Sequence, residues 1–155
     1  MTVYYLDASA WVKRYVRERG SEWIQDLFGQ RPLLAYASLG FIEVLATLSR
    51  KRRAVEIVDS RFEIAIRQLE RDWRGFVEVY LHTDVLSIAA DVARRYALRG
   101  ADAVHLASAL RVRERLQSAH DAVLIVTADQ ELKAAARALG ITVLDPAVED
   151  NPTQR

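Results

Sequence analysis

Hydrophobic residues fall into two alternating rhythms along the chain. Short β-branched and aromatic runs at 3–6, 33–37, 76–81, 122–126 and 141–144 read as strands, the third being the weakest. Between them, apolar positions recur at three- and four-residue spacing. That spacing predicts helices over 8–16, 39–53, 55–74, 83–99, 101–118 and 129–139, and a further one that Ser21 opens and Gly29 stops. Ser38 and Thr83 read as N-caps, Gly100 and Gly140 as breaks, and Pro32 and Pro146 as stops. Strands alternating with helices predict an α/β fold: a mainly parallel sheet of about five strands with helices on both faces. Residues 1–148 read as one domain and 149–155 as a polar, loose tail. In such a sheet the functional crevice lies beyond the carboxyl ends of the strands.

Four acids break this pattern. Asp7 ends the first strand and is the only charge between Val3 and Val12. Glu43 is the only charge from Leu39 through Leu48, and Asp102 the only acid from Ala101 through Leu110. Asp129 follows the apolar run 123–126 after Thr127 and Ala128. Lone carboxylates in buried runs are costly unless paired or metal-bound. Two of these acids follow strand ends and two lie in early helical turns, so all four can converge at one sheet edge. A carboxylate pair at about 4 Å costs on the order of 4 kcal/mol at an effective dielectric of 20. A hard divalent cation removes that cost, and oxygen donors suit Mg²⁺ or Mn²⁺. One or two such ions can polarise a phosphodiester, generate hydroxide from water and stabilise the leaving oxygen. Each acid also has a plain structural reading: Asp129 as an N-cap, Asp102 as dipole charge in a first turn, Glu43 as a solvent-facing residue. Asp7 is the hardest to explain that way.

Composition changes the picture little. The 155 residues are 51% hydrophobic, enough for one compact core. With 22 basic and 21 acidic residues the net charge is +1, so any nucleic-acid contact must be local. The absence of cysteine excludes thiolate metal sites and a cysteine nucleophile. No apolar run approaches the roughly 20 residues of a membrane span, and Met-Thr-Val-Tyr-Tyr-Leu-Asp does not resemble a leader, so a cytoplasmic protein is expected.

At the four acids the chain resembles the PIN-domain nucleases, and among them the VapC-type toxins of toxin–antitoxin pairs. Tyr5-Leu6-Asp7-Ala8-Ser9-Ala10 looks like the family's opening motif, Phe41-Ile42-Glu43-Val44 like its helical glutamate, and Thr127-Ala128-Asp129-Gln130-Glu131-Leu132 like its last acidic motif. Gly100-Ala101-Asp102-Ala103-Val104-His105-Leu106-Ala107 is the most specific match. Order and spacing agree over about residues 3–146. The resemblance implies a PIN-like fold, an Mg²⁺- or Mn²⁺-dependent endoribonuclease, an RNA substrate and a cognate VapB-like antitoxin; a homodimer is expected, since an orphaned toxin-like domain with excess surface aromatics would dimerise or aggregate. It also implies catalytic Asp7, Glu43, Asp102 and Asp129, with Asp7, Asp102 and Asp129 on the metal. Ser9 would position a carboxylate or a water at the metal, with Thr127 in a similar role.

Other residues are weighed beside these. His105, one turn after Asp102, reads as a packed or hydrogen-bonding helix residue rather than a ligand. Arg50, Lys51, Arg52 and Arg53 complement a helix C-terminus or contact phosphate. Arg94, Arg95, Arg99, Arg111, Arg113 and Arg115 read as solvated helix faces, with a few reaching RNA. Trp11, Trp23, Phe28 and Trp73 read as core, or in part as a groove for an antitoxin. The alternatives are a PIN nuclease of RNA processing without an antitoxin, an aspartyl phosphotransfer or phosphatase domain, and a non-catalytic binding module.

Overall fold

The computed structural model describes residues 1–116 and 118–150. Five strands run β1 (Thr2–Leu6), β2 (Leu33–Ala37), β3 (Val77–Val79), β4 (Ala122–Val126) and β5 (Thr142–Leu144). Every pairing is parallel, and the order across the sheet is β3-β2-β1-β4-β5. Leaving β1, the chain first builds outward through β2 and β3, then returns to place β4 on the other side. The β1/β4 boundary is therefore the topological switch point, where crossover connections diverge and leave a crevice.

Alternation along the strands divides the core in two. Val3, Tyr5, Ala35, Val123 and Ile125 face one side, against α5 (Thr83–Tyr96), α6 (Gly100–Arg115) and α7 (Gln130–Ala138). Leu6, Leu34, Tyr36 and Val126 face the other. There they meet α1 (Ala8–Trp11), α2 (Ser21–Gly29), α3 (Ser38–Arg53) and α4 (Asp59–Trp73). Trp11 is fully buried in this second core and stacks obliquely on Tyr36 and Phe76, at 5.1 Å from each. Trp23, Phe28 and Trp73 pack partly buried on the same core.

The element types match expectation; several boundaries move. The first predicted helix divides at Trp11 into α1 and a 3-10 turn, Val12–Arg14, whose end is set by Tyr15 N–H bonding to the Val12 carbonyl at 3.0 Å. The helix predicted over 55–74 begins only at Asp59, because Val55 takes a left-handed φ of 59° as the chain leaves α3. The strand predicted over 76–81 shortens to Val77–Val79. Ser38 and Thr83 are the first residues of their helices rather than caps. The Ser38 hydroxyl instead donates to Glu78 Oε1 at 2.7 Å, joining the start of α3 to β3. The helix predicted over 83–99 ends at Tyr96, where Ala97 turns left-handed at φ 53°. Arg99 thereby leaves a helix face and becomes the N-cap residue of α6.

The tail also differs from expectation. A short helix, α8 (Pro146–Glu149), follows β5. Asp150 then accepts from Gly20 N–H at 2.9 Å and Trp23 N–H at 3.0 Å, capping α2 from the far end of the chain. Gly20 permits this contact. Its φ is +94°, and a Cβ there would lie 2.8 Å from Pro146. Residues 151–155 of the expected tail lie outside the described residues.

Candidate active site

Parallel strands deliver their C-terminal residues to one edge, and Asp7 and Thr127 leave that edge side by side from β1 and β4. Asp7 serves first as the N-cap of α1, accepting Ala10 N–H at 2.9 Å. It is 3% exposed. Ser9 Oγ–H lies 2.8 and 2.9 Å from its two oxygens, and Thr127 Oγ1–H donates to Oδ2 at 2.7 Å. Each hydroxyl is itself oriented by a backbone amide after β4. Ala128 N–H donates to Ser9 Oγ and Asp129 N–H to Thr127 Oγ1, both at 3.0 Å. The loop carrying Asp129 is thus keyed to the carboxylate of Asp7 through two hydroxyl groups.

No cation is bonded to Asp7 among the described residues. Burial pushes its carboxyl above the usual range, opposed by the charge of His105 and the bonds from Thr127, Ala10 and Ser9. Asp102, in the first turn of α6, is also buried, and its carboxyl too is raised by burial, against the pull of Arg99. Arg99 Nε donates to Asp102 Oδ2 at 3.0 Å, while Nη2 donates to Asp129 Oδ2 at 3.0 Å. The other oxygen of Asp129 accepts Leu132 N–H at 2.8 Å as the N-cap of α7. The capping role expected of Asp129 and its place in the acidic cluster therefore coexist, one oxygen for each.

Glu43 arrives from the second turn of α3. Its Oε2 lies 2.5 Å from His105 Nε2, and His105 Nδ1 lies 3.0 Å from Tyr5 Oη. Burial lowers the imidazole pKa, but the bond to Glu43 and the carboxylates of Asp7, Glu43 and Asp102 outweigh it, and the net shift is upward. Burial holds the Tyr5 phenol well above its ordinary value, so it stays protonated.

All four acids and Ser9 line one cleft of about 580 Å³ at the switch point. Lys13, Arg50, Lys51 and Arg99 line it as well, so cations surround the carboxylates. Within the basic run the roles divide. Arg50 and Lys51 line this cleft, Lys51 while paired with Glu56 at 2.8 Å, whereas Arg52 pairs with Asp59 at 2.7 Å and covers the Phe62 ring. Arg99, expected on a solvated helix face, instead spans two of the acids. Its three-residue spacing from Asp102 was the available signal. Tyr5 directly precedes Leu6 on β1 and so points to the opposite face of the strand.

The donor set suits a hard cation: carboxylate and hydroxyl oxygens, with two carboxyls made costly by burial. Among the described residues no three acidic or histidine side chains stand gathered as a finished metal cage. Arg99 supplies the positive charge between Asp102 and Asp129. An ion at those two acids would have to displace the guanidinium, whose side chain is 72% exposed and has solvent to move into.

The sequence pattern of the PIN domain matches residues 4–138. Over 150 residues the chain is 35% identical to Ribonuclease VapC45 of Mycobacterium tuberculosis, covering 94% of this chain and 100% of that protein. Ribonuclease VapC49 of the same species is equally similar over the same shares. Among solved structures, PAE2754 from Pyrobaculum aerophilum superposes with a TM-score of 0.65 at 22% identity, covering 97% of this chain and 96% of that one. DNA-bound VapBC from Salmonella typhimurium gives a TM-score of 0.62 at 12% identity, covering 94% and 99%. A toxin–antitoxin complex from Klebsiella pneumoniae gives 0.62 at 16%, covering 92% and 96%.

Proposed function

The chain belongs to the PIN-domain family and, within it, to the VapC ribonucleases; from that premise we propose that it is an Mg²⁺- or Mn²⁺-dependent endoribonuclease, the toxin of a VapBC-type pair, acting in the cytoplasm. The observation that carries this reading is the cleft at the β1/β4 switch point. It gathers Asp7, Glu43, Asp102 and Asp129 and leaves buried Asp7 with hydroxyl and amide partners and, among the described residues, no directly bonded cation.

Asp7, Asp102 and Asp129 are the residues that would hold the metal. A bound divalent ion would offset their charge, activate water and polarise the scissile phosphodiester. Ser9 and Thr127 hold the Asp7 carboxylate in one orientation, so it costs no reorganisation during the reaction. Glu43 has one oxygen held by His105. Its other oxygen, Oε1, is the base that takes a proton from the attacking water. That water adds to phosphorus and the bond to the leaving oxygen breaks. Arg50 and Lys51, on the wall of the same cleft, hold the RNA backbone by charge.

A VapB-like antitoxin would block this cleft. The structural neighbours that are toxin–antitoxin complexes support such a partner. A homodimer is the expected assembly, supported by the exposed apolar side chains Val55, Val58 and Ile64 at the start of α4 and before it. The RNA-processing alternative shares the chemistry and differs by having no antitoxin. Family membership leaves the phosphotransfer and binding-module readings without support.

The direct test is cleavage of labelled RNA by the purified chain with Mn²⁺ or Mg²⁺ and with chelator. Activity should require the ion and should vanish in Asp7→Asn and Asp102→Asn, both folded. Retained ion-dependent cleavage in either variant would sink the assignment. Co-expression with the product of a short neighbouring reading frame tests the antitoxin: relief of growth arrest and a co-purifying complex are expected.

A further inference from the structure

We propose that His105 is a positioning residue for Glu43, donating Nε2–H to its carboxylate while Tyr5 secures the imidazole from behind; the catalytic part of this inference rests on the ribonuclease reading. His105 is 2% exposed and has a polar atom in reach at each nitrogen, Tyr5 Oη at 3.0 Å and Glu43 Oε2 at 2.5 Å. A ring that merely filled space would need no such pair. The Glu43 carboxylate can only accept, so a ring proton sits on Nε2, facing Glu43, while the buried Tyr5 hydroxyl meets Nδ1 on the other side.

The three groups come from the three elements that carry the first three acids. Tyr5 precedes Asp7 by two residues on β1, His105 follows Asp102 by three on α6, and Glu43 belongs to α3. The chain Tyr5–His105–Glu43 therefore ties the most exposed part of the cluster to its most rigid part, the central strand. Local packing is shaped around it. Gly40 lies one turn before Glu43 on α3, and a Cβ there would come within 3.4 Å of His105 Cε1. The imidazole also meets the Tyr5 ring edge-on, at 6.0 Å and 69°. A carboxylate at the cleft, on a side chain with several rotatable bonds, needs such a partner to present one oxygen consistently. This is the logic by which a base is oriented by a third group.

The experiment compares His105→Leu, His105→Gln, Tyr5→Phe, Glu43→Gln and the double variant His105→Leu with Glu43→Gln. Steady-state cleavage of a fluorescent random-sequence oligoribonucleotide is measured with Mn²⁺ over a range of RNA concentrations. His105→Leu should lower kcat by about 100-fold with KM within about twofold, the scale expected when a catalytic group is misplaced by about 1 Å. His105→Gln, which keeps a donor, should recover at least about tenfold of that loss. Tyr5→Phe should fall between wild type and His105→Leu. In the Glu43→Gln background His105→Leu should cost less than about twofold, because the two act as one unit. Losses that multiply in the double variant, or wild-type turnover in His105→Leu, would overturn the proposal.

A second measurement needs no cleavage. Nitrogen-15 imidazole spectra of the metal-free protein should show Nε2 protonated, with its signal moving in Glu43→Gln and in Tyr5→Phe. An unprotonated Nε2, or a signal indifferent to Glu43→Gln, overturns the proposal even if RNA is cut. The expected spectra from a protein that cuts no RNA under any ion would instead support the hydrogen-bonded positioning and sink the ribonuclease reading.

Discussion

Two buried aspartates of this chain have opposite surroundings. Asp145 caps α8 through Ala147 N–H at 2.9 Å and is paired with Lys133, which is itself buried. Asp7 caps α1 through Ala10 N–H at the same distance, yet its other partners are hydroxyl groups. Both follow a strand and both start a short helix. Among the described residues Asp145 has a directly bonded counter-ion, Lys133, and Asp7 has none. Buried charge alone is therefore no marker of function here; a buried carboxylate well supplied with hydrogen bonds but lacking a cation is the informative case.

Lys133→Met should break the contrast most severely. It strands the Asp145 carboxylate and should cost about 3–5 kcal/mol of stability, read from denaturant unfolding. Whatever folded protein remains should still cleave RNA. Asp7→Asn should do the reverse. Cleavage should drop about 1,000-fold, roughly 4 kcal/mol of barrier, while the thermal midpoint stays level or rises. A destabilised, active Asp7→Asn would erase the distinction between the two sites.

Metal addition should sharpen it. Mn²⁺ at about 100 times its dissociation constant should stabilise the wild type by roughly 2.7 kcal/mol, and Asp7→Asn should lose that gain. Equal stabilisation of both would place the ion elsewhere. Arg99→Gln should tighten Mn²⁺ binding by calorimetry, since the guanidinium between Asp102 and Asp129 no longer competes. Weaker binding would mean that Arg99 aids the ion rather than standing in its place.

The smallest effect is that of pH without metal. Burial raises the Asp7 carboxyl in the folded state above its unfolded value of about 3.9. The folded protein therefore holds this proton more tightly than the unfolded chain. Its contribution is fully present below the unfolded pKa and is lost as pH rises through the folded one. Unfolding in chelator should show wild type losing stability relative to Asp7→Asn as pH rises from 4, by at most about 1.4 kcal/mol per unit. A difference that grew in favour of wild type would reverse the sign of the assigned shift.

Much of the fold was legible because periodicity reports which face of each element is buried. The runs at 3–6, 33–37 and 122–126 became the central strands, and the four acids interrupting apolar runs all line the same cleft. Cap identities and helix ends were less legible. Ser38 looks like an N-cap in isolation, but β3 offers Glu78, a partner from 40 residues away. The 83–99 helix gives no local sign of ending at Tyr96, since alanine at 97 has high helix propensity, yet Ala97 turns left-handed at φ 53° between α5 and α6. That turn is what moves Arg99 onto the acids. Asp150 was equally hidden, because its partners are amides near residue 20.

By itself the sequence determined the alternation of strand and helix and the carboxylates that its buried runs would have to tolerate, because side-chain polarity at fixed spacing is a local property. Tertiary structure alone decided which buried aspartate pairs with a lysine and which is held by hydroxyls and an amide. It alone placed the guanidinium of Arg99 between two acids, and His105 between Tyr5 and Glu43. Those outcomes depend on contacts between residues up to 120 positions apart, and only closure of the parallel sheet brings such groups within hydrogen-bonding distance.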